Sequence, residues 1–188
     1  MKTSRNRERS LKRRSSLGLV RISARPSHPT LGWLFAGALT LPAALGRSGI
    51  RADKREGDGG TPYGSFRPLR VWWRNDRLPR PRTGLPVRRI SPADAWCENP
   101  ADRRYNRPFR RSVNEPGDRL WRNDNLYDLM VEIDHNTRPR VAGRGSAIFL
   151  HVARPAFGST AGCVALRRRD LQILLRHLSP KTRIVIRH

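Results

Sequence analysis

Two neighbouring segments decide the fold of this 188-residue chain: Gly145-Ser146-Ala147-Ile148-Phe149-Leu150-His151 and Thr160-Ala161-Gly162-Cys163-Val164-Ala165-Leu166. The first is a run of apolar and small residues that ends on a histidine, a pattern that predicts a buried strand carrying an imidazole at its end. The second places a thiol among small residues, which leave room for a substrate backbone to approach. Together they predict a strand, a short loop and a cysteine at a candidate active site.

A second interpretation of the same residues stays open. Cysteine is among the most buried residue types and often serves as a small core hydrophobe. On that interpretation Cys163 fills space in the core, and His151 is a satisfied residue at a strand end. The two segments by themselves do not decide between these possibilities.

The order of His151 followed by Thr160-Ala161-Gly162-Cys163-Val164 resembles the catalytic signature of the L,D-transpeptidases of bacterial cell-wall synthesis, the YkuD-like group. The segment Gly57-Asp58-Gly59-Gly60-Thr61-Pro62-Tyr63-Gly64, preceded by Glu56, is similar to a glycine-rich loop of that family. Similarity to a compact subgroup extends to Trp96-Cys97, Asn99-Pro100, Tyr105-Asn106-Arg107, Leu120-Trp121-Arg122 and Leu126-Tyr127-Asp128. The resemblance spans the chain from about Val20 to Ile186.

This resemblance implies a mainly β fold, an L,D-transpeptidase-like β-sandwich of mixed sheets with short helices. It also implies that Cys163 is a nucleophile with His151 as its base, because a free thiol is only a few per cent thiolate at neutral pH. The sulfur would attack an amide of a peptidoglycan tetrapeptide stem, expel the terminal D-amino acid and pass the acyl group to an amine of a second stem. Backbone N–H groups around Ala161, Gly162 and Cys163 would stabilise the oxyanion, and Thr160 would hold the loop or touch substrate.

Two positions depart from the better-known members of the family. Those members carry histidine before the glycine and arginine or asparagine two residues after the cysteine, where this chain has Ala161 and Ala165. Two alternatives to a transpeptidase therefore remain. One is a cysteine L,D-carboxypeptidase in which water replaces the acceptor amine, and the other is a non-catalytic, basic wall-binding protein on the same scaffold.

The chain is strongly basic, with 39 Lys and Arg against 15 Asp and Glu and a formal net charge of +24. Such a field attracts polyanions of every kind. The charge is spread along the chain without the aromatic-interleaved repeats or zinc-ligand spacing of a nucleic-acid module, so we expect no specific nucleic-acid partner. The histidines and cysteines lack paired metal-ligand spacing, and the resemblance implies no cofactor.

The two cysteines, Cys97 and Cys163, are too few for a disulfide scaffold. A permanent bridge between them would remove the proposed nucleophile. We therefore expect Cys163 to be a free thiol and Cys97 to be a small packed residue in a turn. The length of the chain favours one folded domain, and we expect a monomer.

The N-terminal residues 1–16 are predicted to be a disordered basic arm, because they are rich in lysine and arginine and have almost nothing apolar to bury. We expect this arm to bind anionic cell-envelope polymers, and residues 17–188 to form the catalytic domain. The apolar stretch Leu31 to Leu45 could be part of a signal peptide. Its glycines and proline favour instead two strands, around Leu17 to Ala24 and Leu31 to Leu41, joined by a turn at Pro26 to Pro29.

The location in the cell follows from the family alone. The resemblance implies a bacterial cell envelope or periplasm, with peptidoglycan stem peptides as partners. Since the sequence has no clear signal peptide, a cytoplasmic start is left open.

The rest of the chain predicts short strands with few helices. Strands are expected at Phe66 to Trp73, Leu129 to Ile133 and Arg183 to Ile186, and the proline-rich segment Arg77 to Arg89 is expected to be an extended connection. One helical turn is expected after Ser91, and a short helical segment at Leu120 to Tyr127. Leucines at helical spacing predict one late amphipathic helix over Arg167 to His177.

Overall fold

The computed structural model describes residues 16–188 as a mainly β protein. The strands are β1 (Leu19–Arg25), β2 (His28–Ala36), β3 (Leu39–Ala44), β4 (Ile50–Arg51), β5 (Thr61–Pro62), β6 (Gly64–Phe66), β7 (Pro68–Trp73), β8 (Val87–Arg89), β9 (Asp94–Trp96), β10 (Pro108–Arg110), β11 (Asp118–Arg119), β12 (Leu129–Ile133), β13 (Phe149–Val152), β14 (Val164–Leu166) and β15 (Arg183–Arg187). The helix α1 covers Arg168–Leu175, and a short 3₁₀ turn covers Pro155–Phe157.

Ten of the strands form one mixed sheet in the order β6-β15-β1-β2-β3-β14-β13-β12-β7-β8. Smaller sheets join β10, β9 and β11, and β4 with β5. The predicted fold class, mainly β with mixed sheets and one late helix, is confirmed. The predicted basic arm lies outside the described residues, apart from Ser16, which is exposed and irregular.

The N-terminal apolar segment forms three strands, where the sequence predicted two. The turn predicted at Pro26 to Pro29 is confirmed at Pro26 and Ser27, where Ser27 has a φ of 62°, but His28 and Pro29 already belong to β2. The second predicted strand is interrupted at Gly37, which has a φ of 62° and allows β2 to reverse into β3. β3 then pairs with β14, so this segment belongs to the middle of the sheet.

Both short helices predicted in the middle of the chain are wrong. After Ser91 the chain turns, and the N–H of Ser91 donates to Asp94 Oδ2 at 2.8 Å, but it continues as β9 between β10 and β11. Burial of Asp94, Ala95 and Trp96 in that sheet overrides the local helix signal. From Leu120 to Tyr127 the chain also turns without a helix, passing through Asn125 at a φ of 63°.

The proline-rich connection ends in a strand that the sequence did not predict. Arg77 to Pro86 is irregular, as expected, but β8 follows and pairs in parallel with β7. It lies at the edge of the large sheet, where a segment rich in proline is tolerated.

Side chains of β13 and β14 alternate between the two faces of the sheet. Leu150 and Val152 of β13, with Val164 and Leu166 of β14, point into the large hydrophobic core. Phe149 and Cys163 belong to a smaller cluster that also contains Trp72 and Trp96. Because side chains on a strand alternate, His151 lies on the same face as Phe149, opposite the large core.

The helix α1 confirms the late amphipathic helix and covers the large core. It buries Leu171, Leu174 and Leu175, all of them fully shielded from solvent, and it contacts β13. The helix therefore packs against the strand that carries His151, on the sheet face opposite the His151 side chain.

We predict that Leu171→Ala destabilises the fold by about 2–5 kcal/mol, because it leaves a cavity between α1 and the sheet. Urea unfolding followed by circular dichroism measures the loss. Gln172→Ala, on the half-buried side of the same helix, is the control and should change stability by less than about 0.5 kcal/mol. Equal effects of the two changes would contradict this packing.

Candidate active site

His151 is the third residue of β13, and its side chain is buried. Its Nδ1 lies 2.9 Å from the carbonyl oxygen of Val152. Because a carbonyl oxygen only accepts, Nδ1 must carry the hydrogen, and Nε2 of the neutral ring holds a lone pair. The edge of the Tyr127 ring packs against the imidazole, with ring centroids 5.5 Å apart. The backbone thus selects the tautomer in which Nε2 can act as a base.

Burial, together with the nearby positive charges of Arg122 and Arg154, lowers the pKa of His151 to about 4. The hydrogen bond to the Val152 carbonyl opposes this shift, but it is too weak to offset burial. At neutral pH the imidazole is therefore uncharged.

The segment before His151 differs in part from the predicted strand. The strand begins only at Phe149, and the residues from Gly145 to Ile148 are irregular. Ala147 has a φ of 53°, a left-handed conformation that turns its carbonyl oxygen toward the thiol of Cys163.

Cys163 lies directly before β14, on the same sheet face as His151. Its Sγ donates to the carbonyl oxygen of Ala147 at 3.2 Å and accepts the N–H of Phe149 at 3.3 Å. Burial raises the pKa of the thiol to about 12, although the Phe149 N–H opposes the shift. The resting cysteine is therefore a neutral thiol.

The structure brings His151 and Cys163 to one cavity of about 410 Å³. In the parallel ladder Leu150 pairs with Val164, and His151 pairs with Ala165, so Cys163, directly before β14, lies beside the strand that carries His151. No hydrogen bond joins them at rest, since Sγ is held by Ala147 and Phe149. The resting pair is a neutral thiol with a neutral imidazole.

The carbonyl oxygen of Cys163 is held by two threonine hydroxyls. Thr160 Oγ1 donates to it at 2.7 Å, and Thr61 Oγ1 donates at 3.4 Å. Thr160 Oγ1 also accepts the N–H of Gly162 at 3.1 Å, while Thr61 Oγ1 accepts the N–H of Gly46 at 2.8 Å. Thr160 therefore holds the loop that carries Cys163, and the N–H of Gly162 points toward the Thr160 hydroxyl.

The glycine-rich segment packs directly beneath the cysteine loop. A Cβ on Gly162 would lie 2.7 Å from the carbonyl oxygen of Gly60, and one on Gly46 would lie 2.2 Å from that of Gly59. The carboxylate of Asp58 fixes this segment by accepting the N–H of Gly60 at 2.8 Å and Lys54 Nζ at 2.6 Å, among other bonds. The glycines are required because backbone meets backbone here.

The cavity carries groups of both signs around the thiol. Its lining includes three carboxyl groups and three arginines: Glu56, Glu98, Asp118, Arg47, Arg122 and Arg154. Although Glu98 is exposed at the surface, desolvation in the concave mouth, together with the negative charges of Asp118 and Glu56, raises its pKa to about 7. Ser146 also lines the cavity, and its buried Oγ has no hydrogen-bond partner among residues 16–188.

Several of these residues were not singled out from the sequence as site residues. Thr61 was part of the glycine-rich segment, but its spacing gave no sign that it would reach Cys163. Asp118 begins β11, Glu98 lies in the irregular segment after β9, and neither carries a local signal. Tyr127 donates its hydroxyl hydrogen to Asp118 at 2.8 Å, which ties one carboxyl group to the ring that packs on His151.

Cys97 and Cys163 are both free and buried. Cys97 is packed as expected, but it directly follows β9 and does not lie in a turn: its N–H donates to the carbonyl oxygen of Arg107 at 2.9 Å, which continues the pairing of β9 with β10. Within residues 16–188 no helix has the length and apolar character needed to cross a membrane. That same part of the chain contains no group of three or more side chains that could hold a metal ion.

A family model of the L,D-transpeptidase catalytic domain, YkuD, matches residues 21–186. No protein of curated function matches the chain by sequence. The sequence match to the family therefore covers nearly the whole described part of the chain.

Solved structures that resemble the chain include three mycobacterial enzymes. An L,D-transpeptidase from Mycobacterium tuberculosis H37Rv is 13% identical, with 90% of this chain and 57% of that chain covered and a TM-score of 0.41. L,D-transpeptidase 3 from Mycobacterium tuberculosis, in complex with a faropenem-derived adduct, is 16% identical, with 90% and 60% covered and a TM-score of 0.42. An L,D-transpeptidase from Mycobacterium smegmatis is 13% identical, with 90% and 58% covered and a TM-score of 0.42. The chain spans about three fifths of the length of these structures.

We predict that Gly162→Ala destabilises the protein by about 2 kcal/mol or more, because the new Cβ meets the Gly60 carbonyl and the backbone φ disfavours a side chain. The φ of Gly162 is 140°, and the clash distance is 2.7 Å. Urea unfolding measures the effect. Gly158→Ala is the control in the same segment, with its nearest neighbour atoms at 3.8 Å, and should stay within about 1 kcal/mol of the unchanged protein. Equal stability of the two variants would argue against this close contact.

Proposed function

The chain belongs to the L,D-transpeptidase catalytic domain family, and we propose that it is a cysteine-dependent peptidoglycan L,D-transpeptidase. The observation that carries the proposal is the placement of Cys163 and His151 on one sheet face, in one cavity, with the imidazole tautomer set by Val152. In this proposal Cys163 is the nucleophile and His151 is the base. The acyl donor is a tetrapeptide stem, and the acceptor is an amine of a second stem.

The first half-reaction begins with a neutral pair. Substrate binding turns the S–H of Cys163 from Ala147 toward Nε2 of His151, which takes the proton as sulfur attacks the stem carbonyl. A C–S bond forms, the C–N bond to the terminal D-amino acid breaks, and His151 gives its proton to the leaving amine. The N–H of Phe149, 3.3 Å from Sγ, stabilises the negative charge that develops on sulfur.

The second half-reaction reverses these roles. The acceptor amine attacks the thioester carbonyl, His151 takes a proton from that amine, and the proton returns to sulfur as the C–S bond breaks. In both halves the carbonyl oxygen becomes negatively charged and needs preorganised donors. Since the N–H of Gly162 is bonded to Thr160, we assign this role to the amides of Ala161 and Cys163.

The mixed charge of the cavity suits a peptide stem. Carboxylates of a stem peptide would meet Arg47 and Arg154, and a protonated acceptor amine would meet Glu98 and Asp118 near the mouth. The unpartnered hydroxyl of Ser146 offers a further buried polar contact for substrate. Ala161 and Ala165 leave space in this cavity where other members of the family carry larger side chains.

Partners and location are part of the same proposal. We infer peptidoglycan stems as substrates, a cell-envelope or periplasmic site of action, and a monomeric enzyme without a specific nucleic-acid partner. The basic residues 1–16 would hold the enzyme near anionic envelope polymers through salt-sensitive attraction.

One observation favours a second candidate, a non-catalytic wall-binding protein on the same scaffold. The thiol of Cys163 has a pKa raised to about 12 and is bonded within the protein, as a structural cysteine would be. Incubation with labelled muropeptides followed by mass spectrometry separates the possibilities. A transpeptidase forms a cross-linked dimer, a carboxypeptidase forms only the shortened stem, and a wall-binding protein leaves the substrate unchanged.

We predict that Cys163→Ala, His151→Ala and the double change each lower turnover by about 10³-fold or more, with the double variant close to either single variant. Residues that act as one catalytic unit are strongly non-additive in this way. Dimer formation measured by mass spectrometry gives the rates. Cys163→Ala should cost about 1 kcal/mol of stability, so that the variant remains folded.

Cys97→Ala is the matched control for that experiment. Because Cys97 is a buried thiol outside the cavity, its loss should lower stability slightly and leave the rate within about twofold of the original. If Cys97→Ala abolished turnover while Cys163→Ala kept it, the wrong thiol would have been assigned.

We predict an acid limb of kcat/KM near pH 4, the pKa of buried His151, instead of near its ordinary value of 6.5. The base works only when neutral, so activity is present above that pKa and is lost as the pH falls through it. Initial rates between about pH 3.5 and 8, with circular dichroism at each pH to confirm folding, test the expectation. An acid limb near 6.5 in a folded enzyme would contradict the neutral resting pair.

A further inference from the structure

A second concave surface lies away from the catalytic cavity and shares no lining residue with it. We call it the arginine groove, after the five arginines that line it: Arg67, Arg70, Arg107, Arg138 and Arg140. Its volume is about 920 Å³. Two acids, Glu132 and Asp134, also line it, which leaves three net positive charges.

The two acidic residues of the groove already have hydrogen-bond or salt-bridge partners within the protein. Glu132 accepts Nε1 of Trp72 at 2.9 Å and pairs with Arg70 at 3.0 Å. Asp134 accepts the backbone N–H of Arg67 at 2.7 Å. Within residues 16–188, the guanidinium groups of the other four arginines form no salt bridge with an acid.

Arg140 is an arginine of the groove whose side chain is incompletely hydrogen-bonded. Its Nε is buried and has no hydrogen-bond acceptor among the described residues. Burial lowers the pKa of Arg140, and the positive charge of Arg107 lowers it further. An unsatisfied buried donor beside a like charge is unfavourable, and an anion bound between the two arginines would relieve both effects.

The backbone that carries these arginines is fixed in advance. Asn106, directly before Arg107, donates through Nδ2 to the carbonyl oxygens of His135 at 3.0 Å and Asn136 at 2.9 Å. It thereby joins the turn that ends at Arg107 to the loop that carries two other arginines of the groove. Its Oδ1 accepts Nε1 of Trp96 at 3.0 Å, which anchors this junction in the core.

The loop itself is closed by a second asparagine. Nδ2 of Asn136 donates to the carbonyl oxygens of Val141 and Gly145, both at 2.9 Å, and its Oδ1 accepts the N–H of Val141 at 2.8 Å. The segment containing Arg138 and Arg140 is therefore held between fixed ends. A binding site whose backbone is already ordered loses less conformational entropy on binding.

We propose that the arginine groove binds a ligand that carries two adjacent phosphate groups, a diphosphate. The guanidinium fork matches the spacing of phosphate oxygens and binds them in a bidentate manner. A diphosphate at neutral pH supplies enough negative charge to neutralise the groove, whereas a single carboxylate does not. This site is independent of the transpeptidase function and would hold even if Cys163 proved inactive.

Isothermal titration of the full chain with inorganic pyrophosphate tests the proposal, with citrate as a carboxylate ligand of similar charge. We compare the double variant Arg138→Gln/Arg140→Gln with Arg169→Gln/Arg176→Gln, the α1 variant, which removes the same charge from the exposed surface of α1 and of the residue that caps its C-terminus. The groove variant should bind pyrophosphate about tenfold more weakly or worse, because it loses charge-assisted hydrogen bonds, and the α1 variant should bind it almost as the unchanged protein does. Equal weakening in both variants, or citrate binding as tightly as pyrophosphate, would overturn the proposal.

Thermal unfolding shows whether the groove variant is folded, so that weaker pyrophosphate binding cannot be caused by unfolding. Without ligand the groove variant should melt no lower than the unchanged protein, because the repulsion between Arg140 and Arg107 has been removed, but pyrophosphate should no longer raise its melting temperature. If the double variant does not fold, the exposed single change Arg138→Gln takes its place, and unchanged pyrophosphate affinity in that variant would count against the site.

The diphosphate could come from a lipid head group or from a soluble sugar or nucleotide. Flotation with vesicles that carry a polyprenyl diphosphate, compared with phosphatidylglycerol vesicles of equal surface charge, identifies the lipid source. Titration with a soluble sugar diphosphate identifies the other. Binding of either diphosphate ligand supports the proposal if that binding is lost in the groove variant alone. Equal binding to both kinds of vesicle, with no binding of the soluble diphosphate, would refute it.

Discussion

The parallel pairing of β13 with β14 is the constraint on which the rest of the structure depends. It sets Leu150 beside Val164 and His151 beside Ala165 near the middle of the large sheet. Because alternate side chains point to opposite faces, the same pairing that directs four aliphatic residues into the main core directs His151 and Cys163 away from it. Burial of the core and assembly of the site are thus two results of one register, and a shift by one residue would lose both.

Within the frame set by this strand pairing, hydrogen bonds to backbone groups hold most of the site residues in position. The carbonyl of Val152 selects the tautomer of His151, that of Ala147 holds the thiol, and two threonine hydroxyls hold the carbonyl of Cys163. Few charged side chains are needed to place Cys163 and His151. The candidate site can therefore be assembled with alanine at positions 161 and 165, where better-known members of the family carry histidine and arginine or asparagine.

The sequence predicted the elements whose signals are local and strong. The late helix, β12, β15 and the buried strand before the cysteine have clear periodicity, and the structure confirms them. The predictions from the sequence failed where pairing between distant segments determines the local secondary structure. Asp94 to Trp96 has a good helix-capping signal, yet two neighbouring strands hold it extended, and Gly37 divides a continuous apolar run into two strands.

For the candidate site, the sequence identified the thiol, the imidazole and the loop that carries the cysteine. It could not supply their protonation states, because those depend on burial by residues far away along the chain. Nor could it find Thr61, which is 102 positions from Cys163 and reaches it only because two glycine-rich backbones touch. The carboxyl groups at the cavity mouth likewise come from segments that are separate in the sequence and that only the folded protein brings together.

The high pKa of Cys163 also determines how the protein withstands oxidation. Peroxides and disulfides react with the thiolate, and a thiol that is protonated and buried between Ala147 and Phe149 exposes almost none of that form. In the proposed mechanism the sulfur stays protonated until a ligand in the cavity draws its proton toward His151. The form in which the proposed nucleophile rests is then also the form that reacts slowly with oxidants.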